Sequence, residues 1–170
     1  MLADALGNFL LKEKAQQCVD FGAGKGDYVR ALRSKKIVCD GFDGNPYSPD
    51  LSNGVVNVAD LSQPLMLPLK YDWVLSLEVG EHIPKQYEKT FVNNLMNHCV
   101  HGIVLSWAVE NQRGYGHCNC QNNDYIKKLF SNAGYSNDVE AENSLRAQSK
   151  LSWFKNTIMV FRKDTAASPA

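Results

Sequence analysis

Hydrophobic and polar positions along this chain switch repeatedly between short continuous apolar bursts and four-residue spacing, and the switches predict alternating strands and helices. Residues 2–15 place Leu2, Leu6, Phe9 and Leu10 on one helical stripe ending at the charged Lys12 to Lys14, which predicts a leading helix. Gln17-Cys18-Val19-Asp20-Phe21 runs into Gly22-Ala23-Gly24-Lys25-Gly26-Asp27, after which Tyr28, Val29 and Leu32 fit the inner face of a helix closing near Arg33 and Ser34. Residues 36–43 read as a second short strand, and Gly44-Asn45-Pro46-Tyr47-Ser48-Pro49 as loop, because two prolines and a glycine break any element. A third apolar burst, Val55-Val56-Asn57-Val58, ends at Ala59-Asp60.

Tyr71-Asp72-Trp73-Val74-Leu75-Ser76-Leu77 is mostly apolar at consecutive positions, the pattern of a central strand covered by helices on both faces. Tyr87, Phe91, Leu95 and Cys99 stand four apart in a helix opened by Pro84. Residues 102–107 form the next strand, a polar loop runs to Gln121, and Tyr125, Ile126, Leu129 and Phe130 mark a helix over 124–132. Residues 135–140 then read as a strand, 141–149 as a helical excursion, 157–161 as a firm strand, and 164–170 as a frayed tail. The repeated βα order predicts an α/β fold: one Rossmann-like, doubly wound, mostly parallel sheet with an antiparallel edge strand, in a single domain over 1–163. Ligands of such sheets bind beyond the carboxyl ends of the strands at the point where strand order reverses.

Composition narrows the partners. At 170 residues and 19.0 kDa the chain suits one domain. Eighteen basic residues balance eighteen acidic ones, without the excess that favours nucleic acid. No apolar run reaches membrane-spanning length, Asp4 stands where a signal peptide is basic, and Cys18, Cys39, Cys99, Cys118 and Cys120 are odd in number. Together these lead us to expect reduced thiols in a cytoplasmic protein.

The candidate chemistry lies at the strand ends. A glycine turn between the first strand and helix lets backbone approach a ligand closely. Gly22, Gly24 and Gly26 form G-x-G-x-G, whereas the dinucleotide fingerprint wants its third glycine where Asp27 stands, and no phosphate-loop Ser or Thr follows Lys25. Asp43 ends the second strand seventeen positions beyond Gly26, where a carboxylate can accept both hydroxyls of a ribose, with Asp40 as its competitor. Asp60 ends the third and can accept from an exocyclic amine.

With those residues in view, the chain resembles the class I S-adenosylmethionine-dependent methyltransferases. Residues 19–26 are similar to that family's glycine-rich first motif, Gly41-Phe42-Asp43 to its ribose-binding motif, and Val58-Ala59-Asp60 to its adenine-side motif. Residues 71–84, ending in Leu77-Glu78-Val79-Gly80-Glu81-His82-Ile83-Pro84, are similar to its fourth-strand motif. The resemblance implies S-adenosyl-L-methionine as cofactor and a seven-stranded sheet. It further implies that Gly22, Ala23 and Gly24 hold the methionyl part, with Asp20 an acid near its amino group. Asp43 with Asn45 would serve the ribose, Asp60 with Leu61 the adenine, and Glu78 the crevice wall.

Methyl transfer is an in-line displacement in which a protein supplies alignment and, for a hydroxyl or ammonium acceptor, a base. The candidate bases are His117, in the loop after the fifth strand, and His82, after the fourth. A zinc reading of His117, Cys118 and Cys120 lacks a well-spaced second pair beyond His98, Cys99 and His101, so no metal is expected. Asn45-Pro46-Tyr47 follows the second strand rather than the fourth, which argues against base methylation. Only about seventeen residues precede the first strand, so either the acceptor pocket is open or the chain begins inside a longer protein. The loop 107–121 and the excursion 140–155 are left to cover the acceptor, with Arg146 and Phe154 in the second and Trp107, Tyr115 and Trp153 as a possible apolar wall. The expectation is metal-independent transfer to O or N of a small-molecule or protein acceptor. A non-catalytic cofactor-binding scaffold and a nicotinamide-dependent oxidoreductase are its rivals.

Overall fold

The computed structural model describes residues 1–164, so all of the expected frayed tail except Asp164 lies outside the described residues. Asp164 itself is tied back, donating its amide to the Gly134 carbonyl at 2.9 Å. The elements run α1 (Leu2–Lys12), β1 (Gln17–Phe21), α2 (Asp27–Ser34), β2 (Val38–Asp43), α3 (Ser48–Leu51), β3 (Val56–Val58), β4 (Tyr71–Leu77), α4 (Glu88–Asn97), β5 (Cys99–Ser106), α5 (Asn123–Ser131), β6 (Tyr135–Asn137), α6 (Val139–Gln148), α7 (Phe154–Thr157) and β7 (Met159–Lys163). Single 3₁₀ turns occupy Gly80–His82 and Lys85–Tyr87.

One seven-stranded sheet has the order β3-β2-β1-β4-β5-β7-β6. All pairings are parallel except those of β7, which runs antiparallel to both β5 and β6. The expected antiparallel strand is therefore present at that margin, one place in from the rim that β6 forms. Because side chains alternate along a strand, the central strands feed two cores. Cys18, Trp73, Leu75, Val104 and Val160 face α1, α2 and α6, while Val19, Val74, Ile103, Leu105 and Phe161 face α4 and α5. Covered on both sides, β4 is apolar at nearly every position, as its run of residues predicts.

Several local expectations change. Helix α1 stops at Lys12, the expected strand 135–140 ends at Asn137 because Asp138 caps α6, and Thr157 belongs to α7 rather than to β7. The segment 44–49 is not all loop: α3 begins inside it, with Pro49 in the first turn, where a missing amide hydrogen costs nothing. After Pro84 the chain makes a 3₁₀ turn before α4, and β5 begins three residues earlier than its glycine suggests. The order reverses between β1 and β4, both of which neighbour each other at the centre, so a crevice opens where Phe21 and Leu77 end.

Candidate functional site

The turn after β1 is built by left-handed backbone at Gly22, Gly24 and Gly26, with φ of 89°, 53° and 78°. A Cβ on Gly22 would enter the Val79 side chain, so glycine lets the β1 turn lie against the turn after β4. The Gly22 and Ala23 amides donate to the Phe42 carbonyl at 2.7 and 3.0 Å, and the Gly24 amide donates to Asp43 Oδ2 at 2.8 Å. Asp43 Oδ1 accepts from the Asn45 amide at 2.9 Å. Its competitor Asp40 is occupied elsewhere, accepting from the Tyr71 hydroxyl at 2.8 Å.

Gly22, Asp43, Asp60, Leu61, Glu78 and His82 line one crevice of about 380 Å³, with Val79 and Ile83 also in its lining. The other residues expected at this site have different places. Gly24 leaves open space beside its Cα, Ala23 packs inward, and Asn45 turns its Oδ1 to the Tyr47 amide. Asp20 lies beneath the turn, buried, and its Oδ2 has no hydrogen-bond partner among the described residues. Burial, followed by the charge of Asp43, pushes the Asp20 carboxyl up to about 7. Asp60 Oδ1 accepts from the amide and hydroxyl of Ser62 at 2.9 and 2.6 Å, an Asx turn that fixes the strand end.

Glu78, the residue after β4, takes a left-handed conformation with φ 57°, uncommon for a residue with a side chain. Ser106 holds the Glu78 amide from the end of β5, while Gln112 Nε2 and Thr157 Oγ1 donate to its carboxylate at 2.7 and 3.2 Å. Next along the chain, Gly80 has no room for a Cβ because the Trp107 ring lies against it. The chain therefore turns tightly into Glu81 and His82.

Two histidines 35 positions apart meet here: the His82 and His117 rings are 5.0 Å apart, edge to face. The Glu81 carbonyl accepts from the Cys118 and Asn119 amides at 2.8 and 3.0 Å, which pins the His117 loop to the turn after β4. A neighbouring crevice of about 260 Å³ is lined by Glu78, Glu81, His82, Gln112, Arg113, His117 and Trp153. Of the expected apolar wall only Trp153 lines it. Trp107 is fully buried with its Nε1 donating to the Asn119 carbonyl at 2.6 Å, and Tyr115 is wholly in solvent. Arg146 donates to the Ile158 carbonyl and Phe154 is core, so neither covers an acceptor. His98 is held by Asn94 and Leu67 backbone and takes no part in the cysteine-rich loop. Sequence reasoning missed Glu81, Gln112 and Thr157. For Glu81 the signal was present as a second acid three residues after Glu78.

A doubly wound sheet with a glycine turn and acids at successive strand ends defines a cofactor-binding α/β enzyme fold. Over residues 2–140 the chain matches the family described as methyltransferase domain, and it belongs to that family. No curated protein matches it. Among solved structures, it resembles magnesium protoporphyrin IX methyltransferase from Synechocystis PCC 6803 with bound SAH, at 17% identity and a TM-score of 0.71, covering 95% of this chain and 82% of that one. It also resembles CalS10, an amino pentose methyltransferase from Micromonospora echinaspora, at 12% identity and a TM-score of 0.74, covering 95% and 89%. The small RNA methyltransferase HEN1 matches at 13% identity and a TM-score of 0.72, covering 97% of this chain and 25% of HEN1. The same fold thus serves small molecules and RNA. It does not support the expectation against nucleic acid, which rests on net charge and on the place of Asn45-Pro46-Tyr47. Among the described residues no helix is long and apolar enough to cross a membrane.

Proposed function

We propose that this chain transfers a methyl group from S-adenosyl-L-methionine to an oxygen or nitrogen of an acceptor held beyond Glu78. The observation that carries this reading is the ring of carboxylates at the ends of β1 to β4: Asp20 beneath the crevice and Asp43, Asp60 and Glu78 along it. Carboxylates in a partly enclosed site attract cationic groups, and the cofactor carries an ammonium and a sulfonium. The residues fit it. Asp20 has a buried oxygen free to accept from an ammonium, Gly24 leaves space for close approach, and each Asp43 oxygen keeps a lone pair after its one backbone hydrogen bond. When bound, the cofactor supplies an activated methyl carbon.

Asp43 with Asn45 behind it serves the ribose in this reading, Asp60 and Leu61 the adenine, and Gly22, Ala23 and Gly24 the methionyl part. On the far side of Glu78, His117 and His82 face the acceptor and hold its reacting atom in line. Alignment of this kind supplies much of the barrier reduction in a displacement. The balanced charge favours a small-molecule or protein acceptor, and the five unpaired thiols suit the cytoplasm.

Calorimetric titration with S-adenosylhomocysteine, with NADH in a parallel cell, tests this. We expect micromolar binding of the first and none of the second. Binding of NADH alone, or of neither, overturns the reading. Labelled methyl donor offered with metabolite, protein and RNA pools then assigns the acceptor, and label in RNA would overturn the small-molecule or protein assignment.

A further inference from the structure

Glu81 is fully buried, yet neither oxygen of its carboxylate has a hydrogen-bond partner among the described residues. Buried polar groups are ordinarily satisfied, and buried carboxylates are paired with a cation or coordinate a metal. The group facing Glu81 does not satisfy it as a simple donor. His117 Nε2 lies 3.9 Å from Glu81 Oε1, beyond hydrogen-bond reach. The other ring nitrogen, Nδ1, faces the Gln112 carbonyl at 3.0 Å. Because a carbonyl only accepts, Nδ1 carries a proton, and in the neutral imidazole that leaves the Nε2 lone pair turned toward the carboxylate. Two acceptors thus look at each other across a gap, and His82 closes its third side.

One donor atom each from Glu81, His82 and His117 lies within 4.8 Å of the other two. We infer that these three residues bind a divalent transition-metal ion whose open position takes an oxygen of the methyl acceptor. Around an ion with bonds of about 2.1 Å, donor atoms stand roughly 3 to 3.5 Å apart, so the gap closes by modest side-chain rotation. His82 is exposed and free to make it. Two imidazoles with one carboxylate suit zinc, iron, cobalt or nickel rather than magnesium or calcium, which take oxygen donors. The Nδ1–H to Gln112 carbonyl bond is the outer contact that commonly orients a ligating imidazole. Backbone bonds from Cys118 and Asn119 to Glu81 hold the two halves of the site together before any ion arrives.

Three protein ligands leave a coordination position open, the arrangement of sites that act on a substrate rather than merely hold a fold together. That position faces the crevice lined by Gln112, Arg113 and Trp153, and Glu78 and His82 belong to both this crevice and the one beside the glycine turn. The ion would polarise and orient a hydroxyl or carboxylate oxygen there. The acceptor atom is then oxygen, and the two histidines act as ligands in place of a free base, against the metal-free expectation from the sequence. The acceptor assignment rests on the methyl-transfer reading; the cation site does not.

The test uses the full chain stripped with a chelator and titrated with Co²⁺ alone, read by visible absorption, and then displaced by Zn²⁺. We expect about one ion per chain, with affinity falling roughly tenfold or more in Glu81→Gln, His117→Ala and His82→Ala. His82 is exposed, so the His82→Ala protein should keep its thermal midpoint when metal-free, which separates ligand loss from misfolding. Failure of the wild type to take up Co²⁺, or equal uptake by the His82→Ala and His117→Ala proteins, overturns the site. A parallel titration of the stripped wild type with S-adenosylhomocysteine separates the two readings: Co²⁺ uptake without it leaves the cation site standing and removes the proposed cofactor.

Discussion

The Gly24 amide donates to Asp43 Oδ2 at 2.8 Å, so the turn after β1 and the tip of β2 are one hydrogen-bonded unit rather than two independent walls of a crevice. Asp43 also accepts from the Asn45 amide at 2.9 Å, which means that it shapes the loop on either side of the site before meeting any ligand.

Substitution Asp43→Ala should therefore have two effects. Leaving two amides unpaired should lower thermal stability by about 1 kcal/mol, and losing the carboxylate should weaken S-adenosylhomocysteine binding by about 1 to 3 kcal/mol. Calorimetry and a melting curve on the same sample separate them. Unchanged affinity would remove Asp43 from the ligand site while leaving its role in the loop.

Asp20 predicts a pH dependence. Its carboxyl is lifted from 3.8 to about 7, by burial first and by the Asp43 charge second. Between those values the folded state holds a proton that the unfolded state has released, so stability falls as pH rises from about 4 to about 7, by at most roughly 4 kcal/mol. Asp20→Asn should flatten that slope. A cationic cofactor favours the ionised form, so binding below neutral pH should release a proton, measurable as a buffer-dependent enthalpy. Equal enthalpies across buffers at pH 6 would count against Asp20 facing the ligand.

Arg162 ties the opposite end of the molecule. Its Nη atoms donate to both Glu13 oxygens at 2.7 and 2.8 Å and its Nε to Asp138 at 2.7 Å, joining the end of α1 to β7 and to the cap of α6. The guanidinium holds the Glu13 carboxyl below its ordinary value, while at Asp138 the Ala141 amide first and the guanidinium second lower the carboxyl against the opposing effect of burial. These groups contribute stability above the unfolded carboxylate range and lose it as pH falls through the lowered values. Because Arg162 is 41% exposed, Arg162→Ala should cost only about 1 to 2 kcal/mol. Ligand affinity should stay unchanged, since nothing in this cluster reaches the crevice. A shift in affinity would show that the two ends of the sheet are coupled.

Gly80→Ala tests the link between core and site. The new methyl meets the Trp107 ring, which is fully buried against Phe91 and cannot retreat. A cost of about 1 to 3 kcal/mol is expected from overpacking, together with displacement of Glu81 and His82. A melting midpoint equal to wild type would mean that the turn adjusts freely.

How much of this was readable beforehand follows from the range of each interaction. Strand and helix positions follow from local spacing, and Asp43 and Asp60 stand out because each closes a strand, a place visible in one dimension. Glu78 comes instead from the resemblance to the fourth-strand motif, and all three line one crevice. The pairing of Glu81 with His117, 36 positions apart, is not visible in one dimension, because it depends on two long-range backbone hydrogen bonds, from Cys118 and Asn119 to the Glu81 carbonyl. Trp107 and Tyr115 looked alike as loop aromatics. Only three dimensions show that Gly80 makes room for the first, while the second has nothing to pack on. The helix at Ser48–Leu51 was hidden by Pro49, whose effect depends on whether it falls in a first turn or a later one.

Glu78 offers the sharpest separation of backbone from side chain. Its φ of 57° costs an ordinary residue about 1 to 2 kcal/mol, a cost glycine escapes. Its carboxylate meanwhile anchors Gln112 and Thr157, which carry the acceptor-side loop and α7. Glu78→Gly should therefore be more stable than Glu78→Ala by about 1 kcal/mol, although both lose the same hydrogen bonds. Both should bind S-adenosylhomocysteine more weakly than wild type, because each opens the wall shared by the two crevices. Comparison of the two variants by denaturant unfolding decides it. Were Glu78→Ala the more stable of the two, the left-handed conformation would not be a source of strain, and Glu78 would be kept there by its hydrogen bonds alone.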